Sequence, residues 1–397
     1  MAIQRKGLAQ RRAAAGFTQE SLAEHLNVDR TTVARWEIGE LTPLPLKQPA
    51  LAKALAVTLD RLVELLHDGA DTGDASCSGV PVRARVTMSG AGSVAEIRAT
   101  AQAFQTADRQ LGGGILYESV AQYLSQEIGP RLLDPAGGPD AADLFSAAAS
   151  LTEIAGWMSH DSGQDDRARQ HFNRAYRLAK AADDATLSGN ACASMAHLAV
   201  ELDQADDALR IASVGLGCTP ATEGTKQLIA RLHAMRARAF AIQVNRTSCI
   251  NALKLAERVL QDASDERTAD WIAVFDEASL ASEASLCFMQ LAEYSEAELR
   301  AKEVIRLRSG DRVRSRAFGQ LTLANVLLRA GRVEEAAMLG QEVCMLTRSL
   351  SSARVTRRIH DLAGALQAVS SGPEVTEFVA LVQPIAVEER RTTAWPV

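Results

Sequence analysis

Near the N-terminus the run VDRTTVARWEIGE, residues 28–40, sets Arg30, Thr31, Thr32 and Arg35 on one side of a helical period and Val33 and Trp36 on the other. Guanidinium and short hydroxyl side chains on the tip of a helix suit a nucleic-acid duplex. Arginine matches guanine O6 and N7 in the major groove, and threonine reaches base edges or phosphates. Gln19 opens the preceding helical stretch, where its amide and the helix N-terminus can meet a phosphate oxygen.

Such a tip must be held by other elements, and punctuation cuts the first 66 residues into five short helices. The first opens at Leu8 and ends at Gly16. Thr18 caps the second, with Glu20 in its first turn, and a break at Asn27-Val28 follows. Asp29 caps a third helix over 30–37, which Gly39 stops. Pro43, Pro45 and Pro49 stiffen the path to a fourth around 48–56, and Thr58 caps a fifth carrying Leu59, Leu62, Val63, Leu65 and Leu66. Two short helices joined by a tight turn, the second presenting its N-terminal turns, form a helix-turn-helix. Trp36 belongs to its core.

The stretch RRAAAGFTQESLAEHLNVDRTTVARWEIGELTP resembles the phage-repressor-like (XRE-type) helix-turn-helix family. Thr18-Gln19, Leu22-Ala23, Leu26, Val28, Val33, Trp36-Glu37 and Gly39 stand at the spacing that family shows. The resemblance implies that Gln19 and Thr32 hold phosphates of a double-stranded operator while Arg30, Thr31 and Arg35 read its bases. It also implies an ion pair between Arg12 and Glu37 that locks the first helix against the third.

At 397 residues the chain is too long for one ordinary core. Abundant Ala, Leu and Arg with only 4% aromatics favour helix over sheet, so the expected class is all-α. Residues 1–66 carry nine basic against seven acidic side chains, a net +2; the chain as a whole carries −6, so the body is acidic. A mildly basic head on an acidic body suits a head that meets phosphate and a body that does not. The six cysteines are scattered without a C-x-x-C pair, which argues against a disulfide framework and a zinc site. No apolar leader follows the basic N-terminus and no apolar run reaches membrane-spanning length, so a soluble, cytoplasmic protein with no membrane partner is expected. Nucleotide-binding, metalloprotease and hydrolase motifs are absent, and LGGGILYES (111–119) reads as a helix-breaking turn. The expectation is a non-enzyme with no cofactor and no metal.

Residues 67–92, rich in Gly, Ser, Asp and Ala, read as a linker, within which VPVRARVTM could form a short strand. Such a flexible segment spans roughly 25–30 Å root-mean-square, comparable to the ~34 Å between half-sites on one face of DNA. Two heads on a homodimeric body could therefore reach a two-fold operator.

From 93 to 397 one helical pattern follows another. In residues 151–184, Gly156, Gly163, Ala168, Phe172 and Ala175 occupy the small, turn, small, aromatic and small positions of a tetratricopeptide unit. The phase recurs around Ala208, Ala252, Ala297 and Ala336, at spacings of 40, 44, 45 and 39, longer than the standard unit. Helices over 93–110, 114–128 and 141–150 precede the array, and two more cap its end. The segments GWMSHDSGQDDRARQHFNRAYRLAKAADD, DWIAVFDEASLASEASLC and SLSSARVTRRIHDLAGAL are similar to the helical bodies of actinobacterial regulators, and the head-plus-array plan resembles the peptide-sensing RRNPP regulators. If the first helix of each repeat lines a groove, Trp157, His197 and Asn325 project into it, with His160, Asn190 and Met289 nearby. The resulting expectation is a five-helix helix-turn-helix head (1–66), a linker (67–92) and a tetratricopeptide-like α-solenoid (93–397). Together they would make a transcriptional regulator gated by a peptide or small-molecule effector. The alternative is a scaffold whose array binds a protein partner.

Overall fold

The computed structural model describes residues 6–26, 28–38, 43, 51–52, 54–55, 57, 62, 65–66, 94–113, 116–133, 139–222, 224–263, 274–308, 312–348 and 350–392. The expected linker, its VPVRARVTM segment, the caps at Gly39 and Thr58 and most of the fourth and fifth helices lie outside them. Among the described residues all regular structure is helical. The chain divides into two compact units, Met1–Met88 and Ser89–Val397.

The first unit begins with α1 (Lys6–Ala14), α2 (Gln19–Leu26) and α3 (Arg30–Glu37). Gly16, at φ +82°, ends α1 with its amide bonded to the Ala13 carbonyl. Thr18 caps α2 reciprocally: its Oγ1 accepts from the Ser21 amide at 3.0 Å, and its own amide donates to Ser21 Oγ at 2.8 Å. Leu8, Leu22, Leu26, Val33 and Trp36 close on Leu51, Leu55 and Leu62 in one apolar core.

The second unit opens with α4 (Val94–Leu111) and α5 (Tyr117–Tyr123), which runs through a π-helical turn at Leu124–Ile128 into α6 (Gly129–Leu133). Six antiparallel hairpins follow: α7/α8 (Pro139–Asp161, Asp165–Ala181), α9/α10 (Ala185–Glu201, Ala205–Cys218), α11/α12 (Lys226–Ile242, Arg246–Gln261), α13/α14 (Glu277–Gln290, Tyr294–Leu307), α15/α16 (Val313–Arg329, Val333–Leu346) and α17/α18 (Ala353–Gln367, Pro373–Thr392). Packed pairwise, these are consistent with an α-solenoid. The stretch expected as a separate helix over 141–150 is the first half of α7, since nothing in AADLFSAAASL interrupts the helical period.

The repeat phase has a steric cause. Ala168, Ala208, Ala252, Ala297 and Ala336 are buried, one in each second helix from α8 to α16. Phe172 of α8 lies so close to α7 that a Cβ on Gly156 would sit 2.5 Å from its ring. The first five hairpins turn by one backbone device, a left-handed residue at Gly163, Asp203, Val244, Ala292 and Gly331, with φ between 56° and 80°. At each, the following amide reaches back to a carbonyl of the preceding helix, for example Gln204 to Ala199 at 2.8 Å and Asn245 to Phe240 at 2.8 Å.

The last hairpins return to the first helices of the unit. Arg314 of α15 bonds Asp108 of α4 at 2.6 Å and Asp161 of α7 at 2.8 Å. Ser352 donates to Asp161 at 2.7 Å, and Arg358 of α17 reaches Glu201 of α9 at 2.9 Å.

Candidate functional site

In the first unit α3 is two-faced because its apolar residues are three apart. Val33 and Trp36 are buried, while Arg30, Thr31 and Arg35 are exposed and Thr32 is half-buried. Glu37, buried on the inner side, ties three elements together. It accepts from Arg12 Nε at 2.6 Å and from Gln19 Nε2 at 2.6 Å, and Arg12 Nη1 donates onward to the Phe17 carbonyl at 2.8 Å. One carboxylate thus fixes α1 and the start of α2 against α3, which sets the direction in which the exposed face of α3 points. Arg30 pairs with Glu20 at 2.8 Å, both side chains more than half exposed, so this contact exchanges readily with water.

Residues 8–62 match the family model Helix-turn-helix. The match is of the XRE type, covers the helices just described and supports a DNA-binding regulator. Comparison of the chain with curated proteins finds no match. In a helix-turn-helix the second helix of the motif enters the major groove, and here that helix is α3. Among the described residues no helix is long and apolar enough to cross a membrane, and no group of His, Cys, Asp and Glu has the arrangement of a metal site.

The second unit carries a half-open cavity of about 310 Å³. The first helix of each hairpin contributes to its wall: Trp157 from α7, His197 and Glu201 from α9, Arg231 from α11, Glu283 from α13, Phe318 from α15, and Arg354 and Arg358 from α17. Of the six residues expected to project into a groove, Trp157 and His197 line this cavity. His160 sits behind them, its ring 6.0 Å from those of both, with Nδ1 2.6 Å from Asp165. Asn190 is buried in a polar network, donating to Glu153 at 2.5 Å and accepting from Arg231 at 3.1 Å. Asn325 donates to the Leu321 carbonyl of its own helix, and Met289 is half-buried away from the cavity.

Sequence reasoning missed the charged residues that dominate this wall. Glu201 accepts from Arg354 at 3.2 Å, Arg358 at 2.9 Å and Arg238 at 3.4 Å. Burial pushes the Glu201 carboxyl up, but the three guanidiniums outweigh it and hold the group well below the usual carboxylate range. Burial raises the Glu153 carboxyl, outweighing the Arg231 guanidinium and the neutral donors of Ser194, Trp157 and Asn190. Burial likewise holds His197 well below the ordinary imidazole range and lowers His160 to about 4, against the opposing pull of Asp165. Arg354 and Arg358 stand 4.9 and 5.0 Å from the centre of the Phe318 ring. The sequence signal was the i, i+4 spacing of Arg354 and Arg358 on one helix.

Proposed function

We propose that the protein is a sequence-specific transcriptional regulator. In this reading Arg30, Thr31 and Arg35 read bases from α3, and Gln19 and Thr32 hold flanking phosphates. The observation that carries it is the two-faced α3, its inner side anchored through Glu37 and its outer side offering guanidinium and hydroxyl groups within the matched helix-turn-helix. Gln19 is oriented by its bond to Glu37 while staying half-exposed at the first turn of α2, a position from which it can share a phosphate.

The helical unit is read as a tetratricopeptide-like array that dimerises and senses an effector, acting as a non-enzymatic regulator. Its support is the cavity walled by the first helices of successive hairpins, a position from which a ligand can bear on several of them. An effector with unequal affinity for two arrangements of the array shifts the spacing of two heads, and with it their fit to a two-fold operator.

Selection of bound genomic fragments followed by gel retardation tests the DNA reading. Arg35→Ala is expected to weaken the selected operator by about 1–3 kcal/mol and to blur base preference, whereas Gln19→Ala should weaken all duplexes alike. Equal loss on selected and random DNA for Arg35→Ala removes the base-reading role. Failure to retard any fragment at low salt removes the DNA-binding reading.

A further inference from the structure

The cavity in the helical unit has a chemistry specific enough to name its ligand. Around Glu201 three guanidiniums converge, those of Arg238, Arg354 and Arg358, and Arg238 also bonds Glu283 at 2.8 Å. Arg238 lies behind the wall; along the wall itself five arginines face four carboxylates, Arg231, Arg308, Arg314, Asp108 and Asp161 joining Arg354, Arg358, Glu201 and Glu283. A guanidinium carries five N–H donors, yet among the described residues Arg354 and Arg358 bond only to Glu201, each through Nη2. Both residues line the cavity, their guanidinium carbons 4.9 and 5.0 Å from the centre of the Phe318 ring.

The rest of the wall is mixed: Ile154, Trp157, Met235, Phe275, Leu286 and Val304 give it an apolar part beside its serines and charged residues. His197 adds a buried Nε2 with no hydrogen-bond partner among the described residues, and its Nδ1 is 3.9 Å from Glu283, too far for a hydrogen bond. A buried nitrogen without a partner is costly. A volume of about 310 Å³ lies at the lower end of ligand pockets. It suits a compact molecule.

We propose that this cavity binds a small monocarboxylate with an apolar body, its carboxylate seated on Arg354 and Arg358 and its body against Trp157 and Met235. The planar fork of a guanidinium matches a carboxylate bidentately. One surplus positive charge calls for one negative charge. A dianion such as a phosphate monoester brings a second charge next to Glu201, Glu283 and Asp161, which repel it. The bound carboxylate competes with Glu201 for the α17 arginines, while Glu201 keeps Arg238. The ligand therefore loosens the contact between α17 and α9. This deepens the effector-gating reading above and rests on it only for the consequence at DNA.

Titration calorimetry of the full chain tests the site with indole-3-acetate, phenylacetate and hexanoate, each beside its neutral amide, and with inorganic phosphate. Saturable binding of at least one carboxylate is expected, at least tenfold tighter than its amide and than phosphate. Arg354→Lys keeps the charge but loses the fork and should weaken that binding at least tenfold. Phe318→Leu, which leaves every ion pair in place, should weaken it severalfold and shows whether a lost fold explains the first variant. No saturable carboxylate, an amide that binds as well, or unchanged binding in Arg354→Lys overturns the proposal. If carboxylates fail while operator retardation persists, the cavity assignment falls and the DNA reading stands. If they bind and retardation is unaffected, the assignment stands and the gating falls.

Discussion

Arginine plays opposite parts in the two units. On α3, Arg30 and Arg35 occupy the exposed side of a helix whose other side is core. In the array, Arg238, Arg308 and Arg354 are directed inward, with side-chain exposures of 11%, 7% and 14%. The residue is the same and the helix face decides its partner. An outward guanidinium keeps its hydration and trades water and counterions for phosphate. An inward one has lost its water and must be met by fixed carboxylates or by a ligand that enters. Among the described residues the head illustrates the inward rule at Arg12 and Glu37, a pair on the inner side of α3 opposite its exposed face.

Removing acids one at a time breaks or sharpens this contrast. Glu201→Ala should have the largest effect, about 3–5 kcal/mol by urea unfolding, because guanidiniums on two helices are left buried and uncompensated. A loss below about 1 kcal/mol would mean that water already neutralises them. Acid should act next. His160 is depressed to about 4 from 6.5 by burial, so below pH 6.5 the unfolded chain takes up a proton that the folded chain refuses. Stability should be level above that pH and fall between pH 6.5 and 4, by on the order of 3 kcal/mol for this residue. His160→Gln should flatten that part of a denaturation series, and an identical slope in the variant would exonerate the residue.

In the head, Glu37→Ala should cost about 2 kcal/mol and show as faster amide exchange in α1 and α3; unchanged protection there would leave the α1 to α3 lock without energetic content. Smallest of all is Glu20→Gln. Its exposed pair with Arg30 should be worth less than 0.5 kcal/mol of stability, while affinity for any duplex rises slightly by fluorescence anisotropy. A clear loss of stability would place the outward and inward pairs in one class.

The helix-turn-helix was legible because its determinants are local: a cap at Thr18, a break before Asp29, and Val33 and Trp36 three apart. Helix pairing in the array was legible from small residues, since Ala168 and its counterparts must be small for the helices to touch. The turns were only half legible. Glycine marks two of the five left-handed positions, while Asp203, Val244 and Ala292 adopt the same conformation without announcing it. The cavity was the least legible, because the ion pairs of Arg314, Arg354 and Arg358 join residues 153 to 206 positions apart, and these arginines read in sequence as an ordinary solvated helix face. Trp157 and His197 stood out by residue type and lie on the wall, whereas the charges beside them did not.

The bonds from Arg314, Ser352 and Arg358 back to Asp108, Asp161 and Glu201 change how the array must come apart. A row of hairpins that touch only their neighbours frays from its two tips, one unit after another. Here the final hairpins rest on the opening helices, so neither tip is loose. Deleting α17 and α18 strips partners from α7 and α9 in the same stroke, and denaturation should therefore proceed as a single cooperative event rather than as a progressive unzipping.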